Sequence, residues 1–282
     1  MPGPGTRTGA LREAEAGDLR TRPAPPRLSI VTNDDVHGEL PEEVPLQSHA
    51  PGPHPTRGPT QEHAMSTSIA SQVTTFNEGF TAQIGPELSA VFDAEQRGLR
   101  DAGVPDDAVA VGDQLVDATL LAPSGDEVSL AETIGESAAV LVFYRGAWCP
   151  YCNLTLKTYQ QELLPVLRER GVSLVAVSPQ TPEGSDLATS NGELEFPVLS
   201  DPGNVLSRAL GIVTEPTAEA RAAHTQLGFD VADSNADSTG DIPFPTVLVV
   251  DRDGRVVFAD VHVDYTTRTE VAEVVAALDQ LS

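Results

Sequence analysis

The sequence predicts an α/β domain with a central mixed sheet flanked by helices, and three observations carry that reading. The apolar run Ala138-Ala139-Val140-Leu141-Val142-Phe143 has strand length and composition, and the segment after Cys149 repeats its apolar residues at helical spacing. A second apolar run, Val172 to Val177, follows that helix; a strand–helix–strand unit of this length implies parallel pairing with a right-handed crossover. Near the C-terminus, Thr246-Val247-Leu248-Val249-Val250, a turn at Asp251-Arg252-Asp253-Gly254 and Arg255-Val256-Val257-Phe258 read as an antiparallel hairpin.

Taken in order, residues 1–65 form a leader unlike the rest. Its first 64 residues hold 11 of the 23 prolines and no Phe, Tyr, Trp or Cys, too little apolar surface to offset the entropy of ordering, so disorder is expected. Met65 opens Met-Ser-Thr-Ser-Ile-Ala, which reads like a natural start, so the leader is either a disordered tail or an over-extended gene model. Residues 66–104 form a helical extension. Ile69, Val73, Phe76, Phe80 and Ile84 make one stripe; Pro86 suits a first helical position, and Leu88, Val91, Phe92 and Leu99 make a second. These two helices pack on the main domain or on another subunit of a homodimer. The main domain spans 105–282. Thr119–Leu121 and Glu127–Leu130 flank Pro123-Ser124-Gly125-Asp126 as a hairpin, and the cysteine helix bends at Pro165 and stops at Gly171. Pro197–Leu199 is a short strand, Val205–Leu210 a short helix, Ala218–Leu227 a helix, Asp230–Asp241 a solvated acidic loop, and Glu270–Leu281 the last helix.

The chemistry concentrates in Tyr144-Arg145-Gly146-Ala147-Trp148-Cys149-Pro150-Tyr151-Cys152, which holds the only two cysteines. Cys149 falls where a strand hands over to the first turn of a helix, where unpaired N–H groups and the helix dipole favour a thiolate. Cys152 lies three residues on, on the same helical face. Two packing cysteines or half a zinc site are the bland alternatives, but there is no second C-x-x-C, and no His pair at finger spacing follows the cysteines to complete four ligands. A net charge of −25 argues against nucleic acid or anionic lipid as a partner, and no apolar stretch approaches membrane-spanning length. With no secretion signal visible, a reducing, cytoplasmic compartment is expected.

The order of elements, with Trp-Cys-x-x-Cys between the first strand and helix, resembles the thioredoxin fold. In that fold, the position matching Pro245 in Phe244-Pro245-Thr246 carries a cis-proline facing the cysteines. Adding Ser178-Pro179-Gln180-Thr181-Pro182, Phe196-Pro197-Val198-Leu199-Ser200-Asp201-Pro202 and Val250-Asp251-Arg252-Asp253-Gly254, the chain from Ser66 onward is similar to the peroxiredoxin-like branch of the alkyl hydroperoxide reductase/thiol-specific antioxidant superfamily.

This resemblance implies a thiol peroxidase. Cys149 matches the peroxidatic cysteine, which attacks the O–O bond of hydrogen peroxide or an organic hydroperoxide and becomes a sulfenic acid. Cys152 would resolve it to a disulfide that thioredoxin, glutaredoxin or a low-molecular-weight thiol reduces. No cofactor and no metal is implied. Trp148, Pro245 and Thr246 would line the substrate groove. The pattern Pro-x-x-x-Thr-x-x-Cys of typical peroxiredoxins is absent: Gly146 and Ala147 offer no hydroxyl, and Arg145 is expected to take over part of the electrostatic work. Cys-Pro-Tyr-Cys is also the dithiol signature of glutaredoxins. A thiol–disulfide oxidoreductase therefore remains an alternative, as does a non-catalytic redox-responsive module. Tyr144 is expected in the core, and His224 and His262 as structural or exposed.

Overall fold

The computed structural model describes residues 68–281, and the leader expected over residues 1–65 lies outside them. Helix α1, Ile69–Ala102, is broken at Gly85, whose φ of 79° is left-handed; Pro86 starts the second half. Strands β1 (Thr119–Leu121) and β2 (Glu127–Ser129) form the first hairpin, followed by the short helix α2, Leu130–Ile134. Strand β3, Ala139–Phe143, leads into helix α3, Pro150–Thr158. A π-helical turn, Tyr159–Leu163, then passes into α4, Leu164–Arg170. This turn stands where a bend at Pro165 was expected: proline has no N–H to give, and its ring displaces the carbonyl four residues back. Gly171, at φ 63°, ends α4, and β4 (Ser173–Ser178) returns parallel to β3.

Helix α5 (Pro182–Gly192), β5 (Val198–Ser200) and α6 (Val205–Ala209) follow, with β6 (Val213–Thr214) and α7 (Ala218–Gln226) after them. The stretch expected as an acidic loop contains a helical turn, α8, Val231–Ser234. The Asp230 carboxylate accepts from the Ala232 N–H at 3.0 Å, and the fully buried Val231 anchors the turn. One capping aspartate and one apolar residue suffice for a single turn, and the surrounding acidic residues mask that signal in the sequence. Strand β7 (Ile242–Pro243) pairs with β6; β8 (Thr246–Val250) and β9 (Val256–Val261) form the last hairpin, and α9, Val271–Asp279, closes the domain.

The main sheet runs β2-β1-β5-β4-β3-β8-β9, with β3, β4 and β5 parallel and the remaining pairings antiparallel. Its central strands are buried on both faces, as their near-continuous apolar runs require. Val140, Val142, Val247 and Val249 share one face with residues from α1, α3, α4 and α9. Leu141, Phe143, Leu248 and Val250 share the other with Leu120, Leu130 and Leu206. The α1 extension packs against α3 and α7. Its first two amides, Ile69 and Ala70, donate to the Glu270 carboxylate at 3.0 and 2.8 Å.

Candidate active site

Past Phe143 the chain leaves the sheet through a tight loop. The Tyr144 N–H still donates to Val177 O at 3.0 Å, but Gly146 takes φ 150°, and the Ala147 N–H donates to the side-chain oxygen of Gln180 at 2.6 Å. Cys149 is the N-cap of α3 with extended backbone; its carbonyl accepts from the amides of Cys152 and Asn153, both at 3.1 Å. Pro150 occupies the first helical position, where its missing N–H costs nothing. Both cysteines are free thiols, and both are buried, each 1 % exposed.

Two arginines supply positive charge to the pair. Arg145 is itself buried, its guanidinium 4.0 Å from the ring centre of Tyr265 and 4.9 Å from that of Trp148. The Tyr265 hydroxyl donates at 2.9 Å to Glu95, a buried carboxylate of α1 whose other oxygen accepts the Thr217 N–H at 2.9 Å. The guanidinium is thus held by two aromatic faces and has a carboxylate nearby as counter-charge. Arg268, from the loop before α9, donates from its terminal nitrogen to the sulfur of Cys152 at 3.3 Å. Burial pushes the Cys149 thiol well above the usual range, and the hydrogen bond and charge of Cys152 add to this, against the pull of Arg145 and Arg268. At Cys152 burial also acts upward. It is outweighed by the Cys149 S–H, the Arg268 guanidinium, and the backbone N–H and charge of Arg145, which bring this thiol down to about 5. The pair therefore gives up one proton readily and keeps the other.

The predicted site residues divide into two groups. Cys152, Pro245 and Thr246 line one crevice together with Tyr144, His262, Arg268 and Thr269. Arg145 and Pro245 line a second, with Glu95, Phe244 and Tyr265. Trp148 is in neither; it packs against His224 and Phe229, at ring-centre separations of 5.7 and 5.4 Å. The cis expectation for Pro245 is corrected: no peptide bond among the described residues is cis. The Phe244 N–H donates to Ile212 O at 2.7 Å, and Pro245 O accepts the His262 N–H at 2.9 Å. The chain thus runs from β7 into β8 with no tight turn to demand the costlier isomer.

Glu95, Tyr265, Arg268 and His224 were missed as site residues. An isolated tyrosine and arginine in the polar stretch Asp264–Thr269 were the available signal. Of the two histidines expected as structural or exposed, His224 is 5 % exposed and stacks on Phe92, while His262 lines the first crevice and bonds Asp260 and Thr267. Among the described residues no group of three or more His, Cys, Asp or Glu side chains could hold a metal ion. No helix among them is long and apolar enough to cross a membrane.

A thioredoxin-like sheet with a free, charge-flanked cysteine pair at its central strand–helix junction defines a thiol-based oxidoreductase. Residues 111–259, more than half of the sequence, match the AhpC/TSA family, and the chain belongs to that family. Thiol-disulfide oxidoreductase ResA of Bacillus cereus is 29 % identical over 97 residues, which are 33 % of this chain and 53 % of that protein. Its Geobacillus kaustophilus counterpart is 30 % identical over 111 residues, 39 % of this chain and 62 % of that one. The chain thus spans between half and two thirds of the length of these curated relatives. Among solved structures, peroxidoxin BcpB from Mycobacterium tuberculosis superimposes with a TM-score of 0.48 at 19 % identity, covering 62 % of this chain and 99 % of that one. A peroxiredoxin-like protein from Aquifex aeolicus gives 0.49 at 18 % identity, covering 64 % and 91 %.

Proposed function

We propose that the protein is a thiol peroxidase of the peroxiredoxin-like kind, in which a peroxide takes two electrons from Cys149 and Cys152. The O–O bond breaks, the substrate leaves as alcohol or water, a second oxygen leaves as water, and the two sulfurs join. Thioredoxin, glutaredoxin or a low-molecular-weight thiol in a reducing cytoplasm would restore the dithiol. The observation that carries this reading is a free, buried cysteine pair at the start of α3 with the Arg268 guanidinium 3.3 Å from the Cys152 sulfur, since an anionic sulfur is the nucleophile that peroxide requires. Family membership supports it.

The second reading, a thiol–disulfide oxidoreductase, is favoured by Cys-Pro-Tyr-Cys and by the relatives so named. A paired assay separates the two. Reduced protein mixed with hydrogen peroxide should lose both thiols within seconds and gain an internal disulfide, seen as the loss of two hydrogens in intact mass. Slow peroxide consumption beside brisk reduction of a mixed disulfide would favour the second reading. Turnover in neither would leave the non-catalytic redox module.

A further inference from the structure

Resting on that dithiol reading, we propose that Glu95 is a positioning residue for the cysteine pair: through the hydroxyl of Tyr265 it fixes the ring on which the Arg145 guanidinium lies, and so keeps that charge beside the sulfurs. The chain of contacts is short and enclosed. Glu95 on α1 and Arg145 after β3 are 5 and 4 % exposed. One Glu95 oxygen accepts the Tyr265 hydroxyl and the other the Thr217 N–H, both at 2.9 Å, so the carboxylate ties α1 to two loops at once. The guanidinium lies 4.0 Å from the Tyr265 ring centre and 4.9 Å from that of Trp148, the neighbour of Cys149. Among the described residues no acceptor takes a hydrogen bond from this guanidinium, so the placing of the two rings decides where its charge sits. Glu95 precedes and Tyr265 follows the stretch 111–259, so the family match alone does not point to either. The α1 extension thus completes a site that the family domain only begins.

The charged and titratable groups around Arg145 are the two thiols, Tyr265, Glu95, His224 on α7 and, across the second crevice, Glu215, which pairs with Arg221. Burial keeps Tyr265 and His224 neutral at pH 7, and likewise Tyr144 and Tyr151 beside the cysteines. Arg268, the second cation at the pair, donates to the backbone carbonyls of Tyr265 and Thr267 at 2.5 and 2.6 Å, anchors that side-chain substitutions leave in place. An anionic sulfur gains from a guanidinium held close, and that gain falls when the charge is free to move off. A disulfide carries no such charge. Loss of the Glu95–Tyr265 hold therefore destabilises the reduced pair alone and moves its redox equilibrium toward the disulfide. The negative charge of Glu95 acts with the opposite sign, since it competes with the sulfurs for the same guanidinium. The two roles can be told apart by direction.

The test equilibrates the protein with glutathione buffers at pH 7 and reads the disulfide fraction by thiol labelling and intact mass. Two glutathione thiols become one disulfide as the protein disulfide opens to two thiols. Glu95→Ala and Tyr265→Phe should each shift the equilibrium about 3- to 10-fold toward the protein disulfide, and Arg145→Gln at least as far. Glu95→Gln, which keeps an acceptor for the Tyr265 hydroxyl, should stay at the parent value or move toward the dithiol. In the Arg145→Gln background, Glu95→Ala should add nothing. An unmoved equilibrium in Glu95→Ala or Tyr265→Phe would leave Glu95 with a purely structural role. A shift of Glu95→Ala and Glu95→Gln alike toward the dithiol would make it a counter-charge alone, and additive shifts would mean that it acts by a route other than Arg145. Each of these overturns the proposal, as does a pair that forms no disulfide. Tyr265→Phe keeps the ring and carries the test if Glu95→Ala does not fold. No peroxide enters the measurement, so the expected shifts without peroxide turnover would keep the role of Glu95 and retire only the peroxidase reading.

Discussion

Gly146 sets the geometry on which the cysteine loop depends. A side chain there would have its Cβ 2.5 Å from the indole nitrogen of Trp148 and 2.9 Å from the amide carbon of Gln180, and φ 150° is strained for any L-residue. Gly146→Ala is therefore expected to cost about 1–3 kcal/mol from the backbone alone. It should also push Trp148 off His224 and Phe229. Trp148 is the only tryptophan, so its fluorescence reports the displacement directly, and an unshifted emission maximum would contradict the geometry. Arg145 behaves differently. Arg145→Lys keeps a positive charge but gives up the planar guanidinium between Tyr265 and Trp148, and is expected to lose about 1–2 kcal/mol in urea unfolding. The cysteines and Arg145 were legible in sequence because they crowd into one short stretch. Arg268 was not, because it reaches Cys152 from 116 residues away and has no periodic pattern to mark it. Glu95 looked like any charged residue of an amphipathic helix until Tyr265 and Thr217 gave it a buried place.

At the scale of elements, strands and hairpins could be read because β-branched runs bounded by turn residues leave little choice of conformation. The parallel β3–β4 pair and the β8–β9 hairpin follow from that pattern. Helix ends were harder, since they depend on side chains from elsewhere. Glu270 illustrates this: it forms a capping box with Glu273 at the start of α9 while its carboxylate oxygens receive the first two amides of α1. One carboxylate thus stands at the positive ends of two helices more than 200 residues apart, where a negative charge is favoured. Glu270→Ala should cost about 1–2 kcal/mol, and Glu270→Gln about half as much, since the amide keeps one acceptor. Hydrogen exchange adds the discriminating readout: amides of Ile69 and Ala70 should lose protection in Glu270→Ala. Unchanged exchange there would mean that α1 is held by its packing alone.

For the molecule as a whole, His224 joins segments that are far apart in sequence. Its ring stacks on Phe92 of α1 at 5.3 Å and lies 5.7 Å from Trp148 before α3 and 4.7 Å from Phe229 after α7. Burial pushes the imidazole down to about 4, Arg145 acts in the same direction, and Asp230 opposes weakly. In the unfolded chain the same group titrates near ~6.5. Between those two values the unfolded state binds more protons, so stability must rise with pH from about 4 to about 6.5 and gain nothing more from this group above that. Asp260, held low mainly by His262, titrates below the ordinary carboxylate value, and its contribution is lost only at still lower pH. The two windows can therefore be separated. His224→Phe keeps the stacking, removes the titration and deletes a buried ring nitrogen that has no hydrogen-bond partner. The variant should be at least as stable as the parent at pH 7, and its urea midpoint should fall less between pH 6.5 and 4.5. A midpoint that falls as steeply in the variant would show that folding does not depress the His224 imidazole and that other groups carry the pH dependence.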